Sequence, residues 1–274
     1  MTITVDLLGG LGNQLFQIAA GYAAAKALGR PFYVRRHQFC GAGGQGKEPT
    51  RYYATVYKKI PFIDSLTIEA TCKESGFTYS PIIDRIPSCV TTLHGYFQSE
   101  QYFASYSKDV KDLFTPQEGI IEWLKGKTIL TQFPELAEDH DYCFIGVRRG
   151  DYLNRDNAAI HNPCGLVYYT EAMQRMGKSR YYIASDDVAW CRANFVGDQF
   201  RFIEADDIET FYAIALFRNY IIGNSTFHWW GSFLSIYDRP RIIAPDKWLF
   251  GPNVRKEQYW SIYRDTMEVI ERRI

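Results

Sequence analysis

The chain has 274 residues, 46% hydrophobic and 16% aromatic, enough to bury one large domain or two of ordinary size and too apolar for a disordered chain. Lys+Arg and Asp+Glu both number 31, so the formal net charge is zero and no global charge favours nucleic acid or an anionic membrane. No run of 18 apolar residues and no cleavable leader pattern is present, so the expected setting is cytoplasmic, without an integral membrane segment but compatible with peripheral association.

Ile3 to Leu8 alternates loosely and reads as a first strand, followed by a tight turn at Gly9-Gly10-Leu11-Gly12-Asn13-Gln14. Leu15 to Leu28 is alanine-rich and free of proline, which predicts a helix stopped by Gly29-Arg30-Pro31 before a second strand from Phe32 to Val34. Strand, glycine turn, helix and strand open an α/β domain with parallel strands. Gly41 to Thr50 reads as a loop, and His94-Gly95-Tyr96-Phe97-Gln98-Ser99 ends an apolar run whose polar groups are candidates to face a cleft. Gln101–Leu113 and Glu118–Leu124 are expected helices. The acidic stretch Glu135–Asp141 is the expected domain boundary, giving domains 1–138 and 139–274.

The second half has a cleaner rhythm. Strands are expected at Tyr142–Val147, Tyr181–Ala184, Phe202, Tyr220–Gly223 and Arg241–Ala244, with helices at 165–176, Ala189–Phe195, Asp207–Phe217 and Thr226–Ile236. The tail is expected to end in a helix that packs back on the first domain. Cysteines at 40, 72, 89, 143, 164 and 191 have neither CxxC nor zinc-ligand spacing, and the five histidines form no dense metal motif, so no metal site is assigned.

Four segments carry candidate chemistry. Gly10 and Gly12 let a ligand approach the backbone, while Asn13 and Gln14 can donate to a sugar hydroxyl or phosphate; the alternative is a helix start in which Asn13 caps. The turn lacks the third glycine of G-x-G-x-x-G and the Gly-Lys-Ser/Thr of a Walker A loop. Arg148-Arg149-Gly150-Asp151 places two guanidiniums at a strand end, where an anion such as a diphosphate is held; the alternative is a surface Arg–Asp pair. Adjacent side chains point apart, so one arginine would grip the anion and the other would pair with Asp151 or hold backbone. Ser185-Asp186-Asp187 follows a strand and either accepts from a ribose or base edge or caps the next helix. Asn224-Ser225-Thr226 leads from strand into helix as a phosphate cradle, with Trp229-Trp230 as helix anchors or base-stacking partners. His228 beside them reads as structural, and nothing fixes His94 or His161 as a base.

These motifs resemble the GDP-fucose-dependent α-1,2-fucosyltransferases of glycosyltransferase family 11, in the soluble bacterial and viral branch. The resemblance rests on Gly9-Gly10-Leu11-Gly12-Asn13-Gln14-Leu15-Phe16-Gln17, Val147-Arg148-Arg149-Gly150-Asp151-Tyr152, Ser185-Asp186-Asp187, and Gly223-Asn224-Ser225-Thr226-Phe227 with Trp229-Trp230-Gly231, in family order. It implies a GT-B-type α/β fold, with two Rossmann-like domains facing across a cleft, the N-terminal one on the acceptor side and the C-terminal one binding the nucleotide sugar. It implies an inverting, metal-independent transfer of L-fucose from GDP-β-L-fucose to a glycan hydroxyl, the 2-OH of galactose. GDP-fucose is then a donor substrate and no cofactor is required.

Residue by residue, the resemblance puts Arg148 on the donor β-phosphate, Arg149 in support and Asn13 near the fucose and acceptor. Asp186 or Asp187 would lie near the guanine or ribose, and Ser225 and Thr226 near the phosphates. Asp151 is a candidate base, with phosphate-assisted proton removal as its rival. One departure stands out: the family pattern His-x-Arg-Arg-Gly-Asp has Gly146 at its histidine position here. Another nucleotide-sugar donor, or a silent nucleotide- or glycan-binding protein, are the competing expectations.

Overall fold

The computed structural model describes residues 1–36, 48–154, 158–251 and 254–272. His37, Cys40 and most of the glycine-rich loop expected at 41–50 lie outside the described residues. The chain folds as two units, Met1–Pro116 with Arg255–Arg264, and Gln117–Val254 with Asp265–Ile274.

The first unit is built on parallel strands β1 (Ile3–Val5), β2 (Val34–Arg35), β3 (Phe62–Ile63), β4 (Ala70–Lys73) and β5 (Thr91–His94). β1, β5 and β4 form one sheet in that order, and β2 pairs with β3. Helix α1 (Leu11–Ala27) begins inside the glycine run, earlier than its apolar pattern suggests, with Gly10 as an N-cap that makes no side-chain bond. Gly12 and Asn13 therefore lie in its first turn, and Asn13 is not the cap. Gly9 takes the left-handed conformation at φ +70 that reverses the chain between β1 and α1. Part of the helix expected at Gln101–Leu113 is two 3-10 turns, and α2 spans only Ser107–Phe114.

The second unit is a six-stranded parallel sheet. Its strands are β6 (Cys143–Val147), β7 (Tyr181–Ser185), β8 (Phe200–Ile203), β9 (Asn219–Ile222), β10 (Arg241–Pro245) and β11 (Met267–Ile270), in the order β11-β10-β9-β6-β7-β8. The chain starts in the middle at β6, winds out to β8, then returns to β9 on the other side of β6. That is the doubly wound Rossmann order, and its reversal lies between β6 and β9. The crossovers are α5 (Leu166–Met176), α6 (Val188–Asn194), α7 (Asp207–Ile214) and α8 (Thr226–Phe233). Ile145 and Val147 face one side of the sheet into a core with Tyr168, Tyr169 and Ile183, while Phe144 and Gly146 face the other.

Two boundaries differ from expectation. The units divide at Pro116 rather than at the acidic stretch, because α3 (Ile120–Leu124) and α4 (Thr128–Gln132) pack on α7: Trp123 meets Tyr212 at 4.7 Å between centroids, and the Ile129 N–H donates to Glu209 at 3.4 Å. The acidic residues answer local cations instead of forming a linker, Asp139 with Arg218 at 2.9 Å and Asp141 with Lys178 at 2.6 Å. The tail ends in β11, not a helix, since Met267–Ile270 completes the edge of the sheet against β10. Arg255–Arg264, two 3-10 turns, belongs to the first unit, where Thr78 donates to the Glu257 carbonyl. No described helix is long and apolar enough to cross a membrane.

Candidate active site

All six strands of the second unit are parallel, so their C-terminal ends lie along one edge. Arg148 and Arg149 leave β6 there, Ser185-Asp186-Asp187 leaves β7, and Asn224-Ser225-Thr226 leaves β9. The structure thus brings the three second-half motifs to the sheet's reversal point, where open α/β folds bind ligands.

The two arginines have separate tasks. Arg149 is 15% exposed at its side chain, bonds Asp187 through Nε at 3.2 Å and lies over the Trp190 ring at 4.0 Å. Its backbone N–H donates to Asp186 at 2.8 Å. Arg148 is more open, at 35%, and its guanidinium spans Asp151 at 2.6 Å and Asp186 at 3.0 Å. Asp151 is therefore held by Arg148, not by the second arginine. Gly150 makes room for this arrangement, since a Cβ there would fall 2.7 Å from the Asp186 carboxylate. Three carboxylates face two guanidiniums, one more negative than positive charge, and their ion pairs fix the arginines in place.

Asp187 also caps α6 by accepting from the Trp190 N–H at 3.1 Å, and Ser185 Oγ accepts from the Asp187 N–H at 2.9 Å. The capping reading thus holds for Asp187, while Asp186 binds the Arg149 N–H and the Arg148 guanidinium. The Asn224 side chain donates to the carbonyls of His161 at 2.6 Å and Trp248 at 3.1 Å. It ties loops together beneath the site. Ser225 is the N-cap of α8 and makes no side-chain cap bond. Trp229 and Trp230 are fully buried and pack with Phe233, so they anchor the helix.

Gly146 has a local explanation. A Cβ at this position would meet Nδ1 of His228 at 2.4 Å and Cγ at 2.5 Å, so the imidazole from α8 fills the space a side chain at 146 would need. His228 is 5% exposed, and its Nδ1 has no hydrogen-bond partner among the described residues. Burial first, then the nearby Arg148 charge, push its pKa down to about 3, so the ring is neutral beside the guanidinium. His161 is stacked on Tyr152 at 4.7 Å and is likewise shifted down by burial.

In the first unit, the glycine turn is braced by two buried amides. Gln14 donates to the Gly9 carbonyl at 2.9 Å and accepts from the Tyr57 hydroxyl at 2.8 Å, while Gln17 Oε1 accepts from the Leu8 N–H at 2.9 Å. Gln14 is fully buried and spent on structure, contrary to its reading as a sugar donor. Asn13 accepts from Gln98 at 2.8 Å. Sequence reasoning missed Asp6, Trp190 and the placement of His228. The available signal for Asp6 was a lone carboxylate closing an apolar strand. Among the described residues no group of three or more His, Cys, Asp or Glu side chains is placed to hold a metal ion.

The sequence profile of glycosyl transferase family 11 matches residues 79–262, about two thirds of the chain. The chain belongs to this family. As a family member it resembles an α-1,2-colitosyltransferase of Escherichia coli, 25% identical over 274 residues that cover 90% of this chain and 92% of that one. It also resembles the O-antigen biosynthesis glycosyltransferase WbnK of Escherichia coli, 23% identical over 291 residues, covering 91% and 96%. Among solved structures, NodZ α-1,6-fucosyltransferase soaked with GDP-fucose has a TM-score of 0.53 at 14% identity, covering 89% of this chain and 94% of that one. The glycosyltransferase thus has a GT-B-type α/β fold built from parallel sheets.

Proposed function

We propose that this glycosyltransferase moves L-fucose from GDP-β-L-fucose to a glycan hydroxyl, the 2-OH of a galactose, with inversion and without a metal cofactor. One observation carries the donor half of this reading: Arg148 and the N-terminus of α8 flank the reversal point of a Rossmann sheet. A guanidinium and the amides of a first helical turn suit a diphosphate. Asp186 suits ribose hydroxyls. Ser225 and Thr226 add hydroxyls beside the phosphates, Gly10 and Gly12 keep the backbone approachable at the acceptor side, and Asn13 orients the sugars there. Arg149, Asp187 and Asn224 hold these groups in position.

In the displacement, the acceptor oxygen forms its bond to the anomeric carbon as the bond from that carbon to the β-phosphate oxygen breaks. The electron pair leaves with GDP, and Arg148 meets the growing negative charge. A second reading has specific support: the relative named as a colitosyltransferase makes a colitosyl donor the first alternative to fucose. The test is to incubate the protein with lactose and either donor, with and without EDTA, following GDP release and product mass. Fucosyl-lactose formed equally with EDTA supports the whole reading. Transfer of colitose but not fucose replaces the donor, and loss of turnover with EDTA removes the metal-free mechanism.

A further inference from the structure

The strand-end edge of the second unit is short of positive charge. Arg148, the more open guanidinium, is shared between Asp151 at 2.6 Å and Asp186 at 3.0 Å, and Arg149 is held by Asp187 at 3.2 Å. A diphosphate bound there gains from hydrogen-bond donors that no carboxylate has already claimed. His228, the third residue of α8, is such a group.

Its ring is fixed by its neighbours. Gly146 has no side chain, and a Cβ there would fall 2.4 Å from Nδ1 and 2.8 Å from Cε1 of the imidazole. The Gly146 carbonyl is itself tied down, accepting from the Gly223 N–H at 3.0 Å and the Tyr169 hydroxyl at 3.2 Å, so β6 has no freedom to draw back. Phe144 lies 5.7 Å and Phe227 6.0 Å from the ring between centroids, each with its edge turned to a face. β6 thus carries no side chain at position 146, and α8 sets an imidazole in that space.

The two ring nitrogens differ. Nδ1 is buried against Gly146 with no partner among the described residues. A hydrogen there would be a buried donor without an acceptor, so the neutral ring keeps its lone pair on Nδ1 and its hydrogen on Nε2. Nε2 has no partner among the described residues either, but it is not sealed, and the 5% exposure of the residue includes it. Burial and the Arg148 charge both hold the ring neutral. An open N–H beside a guanidinium, in the first turn of a helix, calls for an acceptor, and both neighbours favour a negative one.

We infer that His228 is a binding residue of the donor site, its Nε2–H donating to a diphosphate oxygen of the nucleotide sugar beside Arg148. The inference rests on the donor reading above and on the second unit alone. The imidazole adds a hydrogen bond without adding a cation for Asp151 or Asp186 to claim, and the bare backbone of Gly146 gives it room.

The test follows the ring directly. In protein labelled at histidine nitrogen, GDP is titrated against the His228 resonances by NMR, which are assigned by their absence from His228→Leu. GDP is expected to shift Nε2 and its proton while Nδ1 keeps its lone pair. Calorimetry compares GDP affinity in the wild type, His228→Leu and His228→Ala, with thermal midpoints alongside. Losing a hydrogen bond to an anion is expected to weaken GDP binding about tenfold or more in both variants. Nε2 signals that stay still at saturating GDP overturn the inference, whatever the variants do to the fold. So does a variant that binds GDP within about threefold of the wild type, because a bond to a charged group is worth more than that. A shift that guanosine reproduces in full also overturns it, since the partner is then the nucleoside and not the diphosphate. A wild-type protein that binds no GDP would instead sink the donor reading itself.

Discussion

His94 and His228 show two ways to hold an imidazole near the end of a parallel strand. His94 is bonded to a buried carboxylate and open on its outer edge. His228 is sealed against Gly146, with Nδ1 buried and unbonded. The first leaves an edge of its ring exposed; burial keeps the second neutral, and it fills space beside Arg148. The same residue type is a polar partner of a carboxylate in one unit and a space-filling ring in the other, and the difference lies in the partner each ring is given.

The sharpest way to break that contrast is at the charge His228 sits beside. Arg148→Ala should cost about 3 kcal/mol of transition-state stabilisation, read as a fall in kcat/KM of roughly two orders of magnitude. Near-normal turnover would remove Arg148 from the donor site. Next is the close fit itself. Gly146→Ala should destabilise by about 2 kcal/mol, because a fully buried ring has little room to yield. Denaturant unfolding measures it, and adding His228→Ala should recover part of the loss.

A smaller effect follows from protonation. The folded pKa of His228, about 3, lies below the ordinary value of 6.5, so the unfolded chain binds the proton first. Stability is full above about pH 6.5 and falls as pH drops toward 3, by about 1–2 kcal/mol between pH 7 and 5. His228→Asn should flatten that part of the stability–pH curve; an unchanged curve would assign the acid sensitivity to His140 or His161, both also shifted down by burial. The smallest change is expected at the α6 cap. Asp187→Ala should cost about 1 kcal/mol in thermal unfolding and loosen Arg149, with a modest rise in donor KM. A larger effect on kcat than on KM would give Asp187 a direct part in the chemistry.

Local sequence determined most of the second unit. Apolar runs of strand length alternating with helical periods gave β6, β7, β9 and β10 to within a residue or two, and polar residues at the strand ends marked Arg148, Asp186 and Ser225 as candidates. Those signals are local because backbone hydrogen bonding and burial impose period and punctuation on each segment. The β11 strand was less legible, since an edge strand is chosen by the sheet waiting for it. The division at Pro116 was also hidden, because α3 and α4 declare their side only by packing on α7.

Side-chain assignment at the site needed the tertiary structure. Adjacent arginines look alike in sequence, but Trp190 and Asp187 claim Arg149, leaving Arg148 the more open. Gln14 and Asn224 look like ligand donors, yet buried carbonyls claim their amides. Asp6 and His94 lie 88 residues apart and become a pair because β1 and β5 are neighbours in register. Gly146 looks like a lost histidine until His228 is seen in its space. A chain can fix by itself what depends on its near neighbours; which polar groups meet, and which are left over for a substrate, is settled by packing between segments that only the fold brings together.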